Sequence, residues 1–332
     1  MSRRTVMLSA AHFCVDFACA ALYFGLFSNR TDWWTILLLY NACAFAAQLP
    51  IGIAADVWNH NRLLAVIGVA LVLLGYAASG APLPAAALAG IGNAAFHVGA
   101  GTDVLTHDGE KAGPLGLFVS PGAIGLYVGT VFAGFLVRNV WIVLLVLAAC
   151  AALIQLSDRG SLMNASENAR WEIGSAGSCT LPLLALVCVV ALRSLLGTTT
   201  AFSAEGILPL IGVFCVAAGK ASGGLIADWL GLRLTALISL GLSAVFVCIP
   251  NAWTHLAALL LFNMTMPLTL HAAALHLKSA KGFSFGLLTF ALFLGLLPKL
   301  LQISIPDRSF LYAGMILLSL GLLLLGVRRI RL

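Results

Sequence analysis

Twelve apolar runs, separated by short polar or Pro/Gly-rich breaks, constrain what this chain can fold into more than any other feature of its sequence. The runs cover residues 6–27, 33–55, 63–79, 83–105, 114–137, 140–157, 181–202, 206–227, 234–250, 253–277, 283–300 and 309–327. A helix crosses the ~30 Å hydrocarbon core of a bilayer with about 20 apolar residues, and each run is close to that length. Hydrophobic residues make up 61% of the chain and charged residues only 9%, a composition too apolar for a soluble fold. The sequence therefore predicts an all-α integral membrane protein with twelve transmembrane helices.

The basic residues test this number of helices, because positive charge concentrates in cytoplasmic loops. We place both termini in the cytoplasm. Of the 18 Lys and Arg residues, the outer loops then contain Arg30, Arg138 and Arg308, and the spans contain Arg193, Lys220 and Lys299. All the other Lys and Arg residues fall on the inner side. If a helix were missed or added, every loop after it would change sides, and the inner and outer basic residues would be mixed. We therefore predict a multi-pass protein of a plasma membrane, the bacterial inner membrane, with both termini cytoplasmic.

Several other classes of function are not indicated. The net charge of +6 comes from basic residues scattered singly between apolar runs, so no nucleic-acid partner is expected. No Cys-x-x-Cys pair occurs, and the cysteines within apolar runs are typical of buried thiols. The glycines of Gly90-x-Gly92 follow no strand, so helix packing explains them better than nucleotide binding does. We expect no enzyme, no cofactor and no metal ion.

A repeated motif divides the chain into two related parts. The sequence Gly52-Ile-Ala-Ala-Asp56, followed by Arg62, stands between the second and third spans. The sequence Gly224-Leu-Ile-Ala-Asp228, followed by Arg233, stands between the eighth and ninth spans, about half the chain further on. Parallel repeats of this kind relate two six-helix halves about an axis along the membrane normal. We predict an N-terminal half at 1–157, a cytoplasmic linker at 158–180 and a C-terminal half at 181–332.

The motif has a mechanical rationale. Glycine lets two helices approach closely, and an Asp near a helix end can form a charge-assisted clamp with the Arg across the short loop. Such a clamp would close the cytoplasmic side in one state and release it in another. A solvated pair of loop charges is the alternative interpretation. The presence of two copies favours a gating role for Gly52, Asp56, Arg62, Gly224, Asp228 and Arg233.

At these motifs the chain resembles the major facilitator superfamily of transporters, whose loop between helices two and three has the same Gly-x-x-x-Asp…Arg pattern. Three further segments are similar to the fosmidomycin-resistance type of efflux transporter, namely His12-Phe-Cys-Val-Asp16, Gly90-Ile-Gly-Asn-Ala-Ala-Phe-His97 and Arg193-Ser194. The resemblance implies a compact version of the twelve-helix fold in two parallel six-helix repeats. It also implies transport by alternating access, with export driven by proton influx.

Two charged residues near the bilayer centre are the strongest candidates for a site, because a charge there costs at least ~2.5–3.5 kcal/mol. At a rise of 1.5 Å per residue, Asp16 in the first span and Arg193 in the seventh both reach mid-membrane. The repeat makes these two spans equivalent, and the resemblance places such helices along a central cavity. We predict that Asp16 and His12, one turn before it, couple protons, and that Arg193 binds an anionic group of the substrate. The alternative is a permanent buried ion pair between Asp16 and Arg193 that only fixes helix packing.

Other polar side chains within the spans are candidates for substrate binding. They are Asn93 and His97 in the fourth span, Asn263 and His271 in the tenth, Asn41 and Gln48 in the second, and Lys220 in the eighth. The members of each pair share a helix face and are expected to point at one ligand. Hydrogen bonds between helices, or snorkelling of the lysine, are the alternatives.

The preferred function is secondary active transport of a small anionic or zwitterionic molecule by alternating access, as proton-coupled efflux. The expected partners are this substrate, protons and the lipid bilayer, and the protein is expected to act as a monomer. A sensor or assembly partner that uses the same fold without transporting is the alternative. A membrane enzyme acting on lipids is disfavoured because no catalytic constellation is present.

Overall fold

The computed structural model describes residues 2–158, 180–197, 207–306, 308–328 and residue 330. These residues are almost entirely helical, and no β-strand occurs among them. Residues 159–179, which form most of the predicted linker, lie outside the described part of the chain.

The predicted series of membrane spans is confirmed. The helices are α1 (Arg3–Phe27), α2 (Trp33–Trp58), α3 (Asn61–Ala77), α4 (Pro82–His107), α5 (Ala112–Val131), α6 (Val140–Leu156), α7 (Thr180–Gly197), α8 (Leu208–Leu230), α9 (Leu232–Phe246), α10 (Ala252–His276), α11 (Lys281–Leu300) and α12 (Ser309–Gly326). Nine of the described helices are long and apolar enough to cross a membrane, and α3, α6 and α9 are shorter apolar helices. A short helix, Ala133–Arg138, continues the predicted fifth span beyond α5. The chain is a multi-pass membrane protein.

Four spans depart locally from α-helical geometry. The last turn of α1, Tyr23–Phe27, and one turn within α2, Ala42–Ala46, are π-helical. Helix α5 is interrupted at Ser120, immediately before a proline, and α10 is interrupted at Met264, three residues before Pro267. Proline removes a backbone N–H donor and crowds the preceding turn, so it breaks the regular helix at these places. Single π-turns are frequent at functional sites, and the turn in α2 borders the cavity described below.

Glycine permits equivalent helix pairs in the two halves to pack closely. On α5, Gly125 and Gly129 lie against the backbone carbonyls of Phe13 and Phe17 on α1. On α11, the equivalent helix of the second half, Gly295 lies against a backbone carbonyl of α7. A Cβ atom at any of these three glycines would overlap a carbonyl oxygen. Small residues at such contacts let helices associate in a membrane, where burial of apolar surface gives no driving force.

The two halves meet mainly where α2 packs on α11 and where α5 packs on α8. Gly52 lies against the carbonyl oxygen of Gly282, and Gly224 lies against that of Ala112. Helix α11 contacts α2 mainly through Gln48–Trp58, the part that carries the motif. The halves are therefore closed against each other at the end of the bundle where both Gly-x-x-x-Asp motifs lie. We call this the motif end.

Replacing Gly52 by alanine is expected to destabilise the closed motif end. The new Cβ would overlap the carbonyl oxygen of Gly282, which is backbone and cannot move aside as a side chain can. Overpacking of this kind costs about 1–3 kcal/mol. The measurement is the thermal unfolding midpoint of the purified full chain in detergent. Gly241→Ala is the matched control, since nothing lies within 4 Å of a Cβ at Gly241. Equal midpoints for the two variants would contradict the prediction.

Candidate functional site

A cavity of about 410 Å³ lies between the two halves. Its walls come from α1, α2, α4 and α5 of the first half and from the equivalent helices α7, α8, α10 and α11 of the second. Nine of the residues predicted to bind protons or substrate line it, namely His12, Asp16, Asn41, Gln48, Asn93, His97, Arg193, Lys220 and Asn263. The folding of the chain thus brings together side chains that are far apart in sequence.

His271 is the exception, and its prediction as a residue of the same ligand site is wrong. It lies beside Asp228 in a separate cavity of about 340 Å³, nearer the motif end. The prediction assumed that α10 is a continuous helix in which residues eight apart share a face. Residues eight apart on a helix are separated by about 12 Å along its axis and by about 80° around it. The cavity lining continues from Asn263 to Met266, Thr269 and Leu270, whereas His271 faces the neighbouring cavity that Asp228 lines.

Asp16 is held by three polar side chains of its own half. Its Oδ2 lies 3.2 Å from Nε2 of His12, and its Oδ1 lies 3.6 Å from Nε2 of His97. Asn93 donates from Nδ2 to Oδ1 at 3.1 Å. We call these four residues the acid–histidine cluster. It joins α1 to α4 on the cavity wall.

The two histidines of this cluster are oriented by the main chain. Nδ1 of His12 lies 2.7 Å from the carbonyl oxygen of Phe118, and Nδ1 of His97 lies 2.8 Å from that of Asn93. A carbonyl oxygen only accepts hydrogen bonds, so both Nδ1 atoms carry a hydrogen. The two Nε2 atoms face each other at 2.8 Å.

Arg193 and Lys220 face the same cavity from the second half. Arg193 is buried, with only 7% of its surface exposed. Within the part of the chain that the structure describes, no carboxylate pairs with either cation, and neither side chain forms a hydrogen bond. The predicted common cavity for Asp16 and Arg193 is therefore present, but the alternative of a permanent ion pair between them is not, because histidines and Asn93 surround the carboxylate. A buried cation without a counter-ion is costly unless an anion binds to it.

The amide side chains of the cavity bond first to their own helices. Asn41 and Gln48 each donate at 2.7 Å to a carbonyl one turn earlier, and Asn263 does so at 2.8 Å. Oε1 of Gln48 is buried without a hydrogen-bond partner among the described residues. This oxygen is a free acceptor beside the cavity.

Sequence reasoning missed several cavity residues. Tyr40 lines the cavity beside Asn41, and Ser194 lines it while donating to the carbonyl of Leu292 at 2.6 Å. Thr289 of α11 also lines it. A hydroxyl within an apolar run is easily satisfied by a backbone carbonyl, so these residue types gave no signal. Ser194 was indicated only as part of the segment Arg193-Ser194 in the resemblance described above.

The two motif aspartates bind across the interface between the halves. Asp56 accepts hydrogen bonds from the backbone N–H groups of Gly282 and Phe283, at 2.7 and 2.8 Å, in the first turn of α11. Asp228 accepts from Ala112 and Gly113, at 2.6 and 2.9 Å, in the first turn of α5. The first turn of a helix has free N–H donors and a positive dipole end, which favour a carboxylate.

The predicted Asp–Arg clamp across each motif loop is therefore wrong. Arg62 instead donates to the carbonyl of Gln155 at 2.9 Å, at the end of α6, and Arg233 donates to the carbonyl of Val327 at 3.4 Å, at the end of α12. Free carbonyls and the negative dipole end at a helix C-terminus attract these cations more directly than the aspartates do. Each arginine thus stabilises its own half, and each aspartate connects the two halves.

Asp56→Asn and Asp228→Asn are each expected to weaken the closed motif end by about 1–2 kcal/mol, because a neutral amide loses the attraction to a helix N-terminus. The measurement is the distance distribution between spin labels placed on the two halves at the motif end, which should broaden toward longer distances. Asp32→Asn is the control, since Asp32 is exposed and pairs only locally with Arg30 at 2.7 Å. Unchanged distances in both motif variants would show that the caps do not hold this end closed.

No protein-family model matches the chain, and no curated protein sequence matches it. Several solved structures, however, match the chain in fold. The E. coli fucose:proton symporter FucP is 12% identical, with a TM-score of 0.65, over 99% of this chain and 98% of its own. The human organic anion transporter MFSD10 is 15% identical, with a TM-score of 0.72, over 97% of this chain and 99% of its own. A bacterial homologue of the iron transporter ferroportin, in an outward-facing state, is 16% identical, with a TM-score of 0.63, over 97% of each chain.

The fold is that of the major facilitator superfamily transporters. The predicted fold class, twelve helices in two parallel six-helix repeats, is confirmed. At these identities the likeness establishes the fold alone. The resemblance to the fosmidomycin-resistance type stays a prediction.

Proposed function

We propose that this protein is a secondary active transporter that moves a small anionic or zwitterionic molecule across the membrane by alternating access. The observation that carries the proposal is the pair of cavity cations, Arg193 and Lys220, which have no carboxylate partner among the described residues. A ligand with a carboxylate or phosphate group would supply the missing charge, and the planar guanidinium can bind it with two hydrogen bonds. The proposed substrate sites also include Asn41, Gln48, Asn93, His97 and Asn263.

We further propose that transport is proton-coupled efflux, as the resemblance to the fosmidomycin-resistance type implies. Asp16 and His12 would take up and release the coupling proton, since they adjoin the cavity and belong to one hydrogen-bonded cluster. Two of the structures with this fold are named as transporters of related kinds, a fucose:proton symporter and an organic anion transporter. Proton release and substrate binding on opposite walls of one cavity could then be linked through its total charge.

The closed motif end supports an outward-facing state for the described conformation. We propose that both termini are cytoplasmic and that the protein lies in the bacterial inner membrane as a monomer, so the motif end faces the cytoplasm. The moving bodies are the halves 1–157 and 181–332, connected by the linker 158–180. Breaking the bonds of Asp56 and Asp228 to the opposite half would open the cavity inward. The ferroportin homologue with the same fold is also outward-facing.

The test uses the purified full chain and a panel of small monocarboxylates, dicarboxylates, phosphate esters and amino acids. A ligand that binds the folded state stabilises it by mass action, by about 2.7 kcal/mol at a concentration of 100 times its Kd. An anion that raises the unfolding midpoint is then tested in proteoliposomes with an imposed pH gradient. Movement of this anion against its gradient supports the proposal. Binding without movement would instead identify a sensor or assembly partner.

A further inference from the structure

The Nε2 atoms of His12 and His97 are brought together in an arrangement that two neutral rings cannot adopt comfortably. Both Nδ1 atoms carry a hydrogen, because each lies 2.7–2.8 Å from a carbonyl oxygen. In a neutral imidazole the other nitrogen is then a bare acceptor. Two bare lone pairs would face each other at 2.8 Å, which is the length of a normal hydrogen bond. A positive charge between the two atoms removes this repulsion.

We propose that His12 and His97 share one proton between their Nε2 atoms, with the Asp16 carboxylate as its counter-charge, and that this shared proton is the coupling proton. The inference rests on the proposed function and sharpens it, since it assigns His97 to proton binding rather than to the substrate. The carboxylate lies 3.2 Å from one Nε2 and 3.6 Å from the other, so it compensates the charge wherever the proton sits. Release of the proton to water leaves two neutral rings and one carboxylate.

The charges around the cluster favour a single proton over a divalent cation. Besides the cluster itself, the titratable side chains that line the cavity are Tyr40 on α2, Arg193 on α7 and Lys220 on α8. The titratable groups close behind it are Cys14 and Cys19 on α1, Tyr76 on α3 and Cys150 on α6. Among these, only Arg193 and Lys220 are charged at neutral pH, and both are positive. A dication would add two more positive charges to a cavity whose one described carboxylate is that of Asp16. Two histidine nitrogens on one tetrahedral metal ion also lie about 3.3 Å apart, which is farther than the 2.8 Å here.

Gly122 on α5 makes room for this arrangement. A Cβ atom at this position would overlap Oδ2 of Asp16 and Nε2 of His12. The helix behind the cluster therefore presents no side chain that could separate the carboxylate from the ring. Asn93 donates to the other carboxylate oxygen at 3.1 Å, so the counter-charge is held on both sides.

The experiment is solid-state NMR of the full chain, labelled with ¹⁵N-histidine and reconstituted in liposomes, from about pH 5 to pH 9. We expect one pair of Nε2 signals correlated through a shared hydrogen in the wild-type protein. The correlation should be lost in His12→Gln and in His97→Gln, and it should remain in His255→Gln. In His97→Gln, Nε2 of His12 should give a signal with no nitrogen partner, because the second ring has been removed.

The wild-type spectrum decides the question even if a variant fails to fold. Two Nε2 signals without a correlation at any pH would overturn the inference, and so would Nε2 signals that change when EDTA removes a bound metal ion. The spectrum does not depend on transport. A shared proton in a protein that moves no anion refutes the proposed function, and with it the coupling role of the proton, but leaves the sharing between the two histidines established. Coupled transport without a shared proton refutes this inference alone.

Discussion

Arg193→Gln is expected to weaken binding of the anionic substrate by about 100-fold, or nearly 3 kcal/mol, while the protein still inserts and folds. The guanidinium lines the cavity, is 7% exposed and has no partner among the described residues, so its loss breaks no ion pair of the folded state. Removing one member of a buried charge pair between protein and ligand typically reduces the binding free energy by about 2–5 kcal/mol. Arg193→Lys should give an intermediate affinity, since it keeps the charge but loses the planar fork. Calorimetric titration with the stabilising anion measures these differences.

Arg138→Gln is the matched control. Arg138 is exposed and donates only to the carbonyl of Gly134, at 3.1 Å, one turn earlier on its own short helix. Both variants remove one positive charge from the chain. A difference between their affinities for the anion therefore reports contact with the guanidinium in the cavity and not general electrostatic attraction. If both variants bind the anion equally well, Arg193 does not form the anion site.

Asp16→Asn is expected to reduce gradient-driven accumulation to the level of protein-free liposomes. Asparagine has nearly the same shape and can still accept from Asn93, but it cannot carry the charge that stabilises a proton on the neighbouring histidines. Exchange of labelled for unlabelled anion at equal pH should persist, because that half of the cycle needs no net proton movement. Proteoliposomes with and without a pH gradient measure the two modes separately.

Asp32→Asn serves again as the control, because it removes one carboxylate from an exposed loop outside the cavity. Full accumulation by Asp16→Asn would eliminate the proposed coupling role of this carboxylate. Loss of both accumulation and exchange, in a protein that still binds the anion, would instead assign Asp16 to the conformational change.

The sequence was sufficient for the fold because lipid imposes a simple length rule on spanning helices. The predicted span 181–202, for example, corresponds to α7 at Thr180–Gly197, and 283–300 corresponds to α11 at Lys281–Leu300. The cavity was also largely predictable. A charged residue such as Asp16 or Arg193 is retained at mid-membrane only if it faces other polar groups or water, so both had to point inward.

Partners across the interface were not predictable from one sequence. Asp56 bonds to the backbone N–H groups of Gly282 and Phe283, and backbone donors carry no residue-type signal. The Asp–Arg pairing was inferred from proximity along the chain, whereas the folded structure offers each charge a helix end instead. His271 was misplaced because residues eight apart lie about 12 Å apart along a helix, so it reaches the cavity beside Asp228 and not the one that Asn263 lines.

The crossed arrangement of the motif aspartates has a consequence for the rate at which the motif end would open in the proposed transport cycle. Each half contributes one carboxylate and one helix N-terminus, so in the proposed alternating access the two contacts would separate together. The free energies of the two contacts therefore add up in one activation barrier. They do not form two smaller barriers that are crossed in succession. Two contacts of about 1–2 kcal/mol each would slow opening by roughly one to three orders of magnitude. In the transport cycle that we propose, this barrier would keep the cavity closed at the motif end while its contents exchange at the other end.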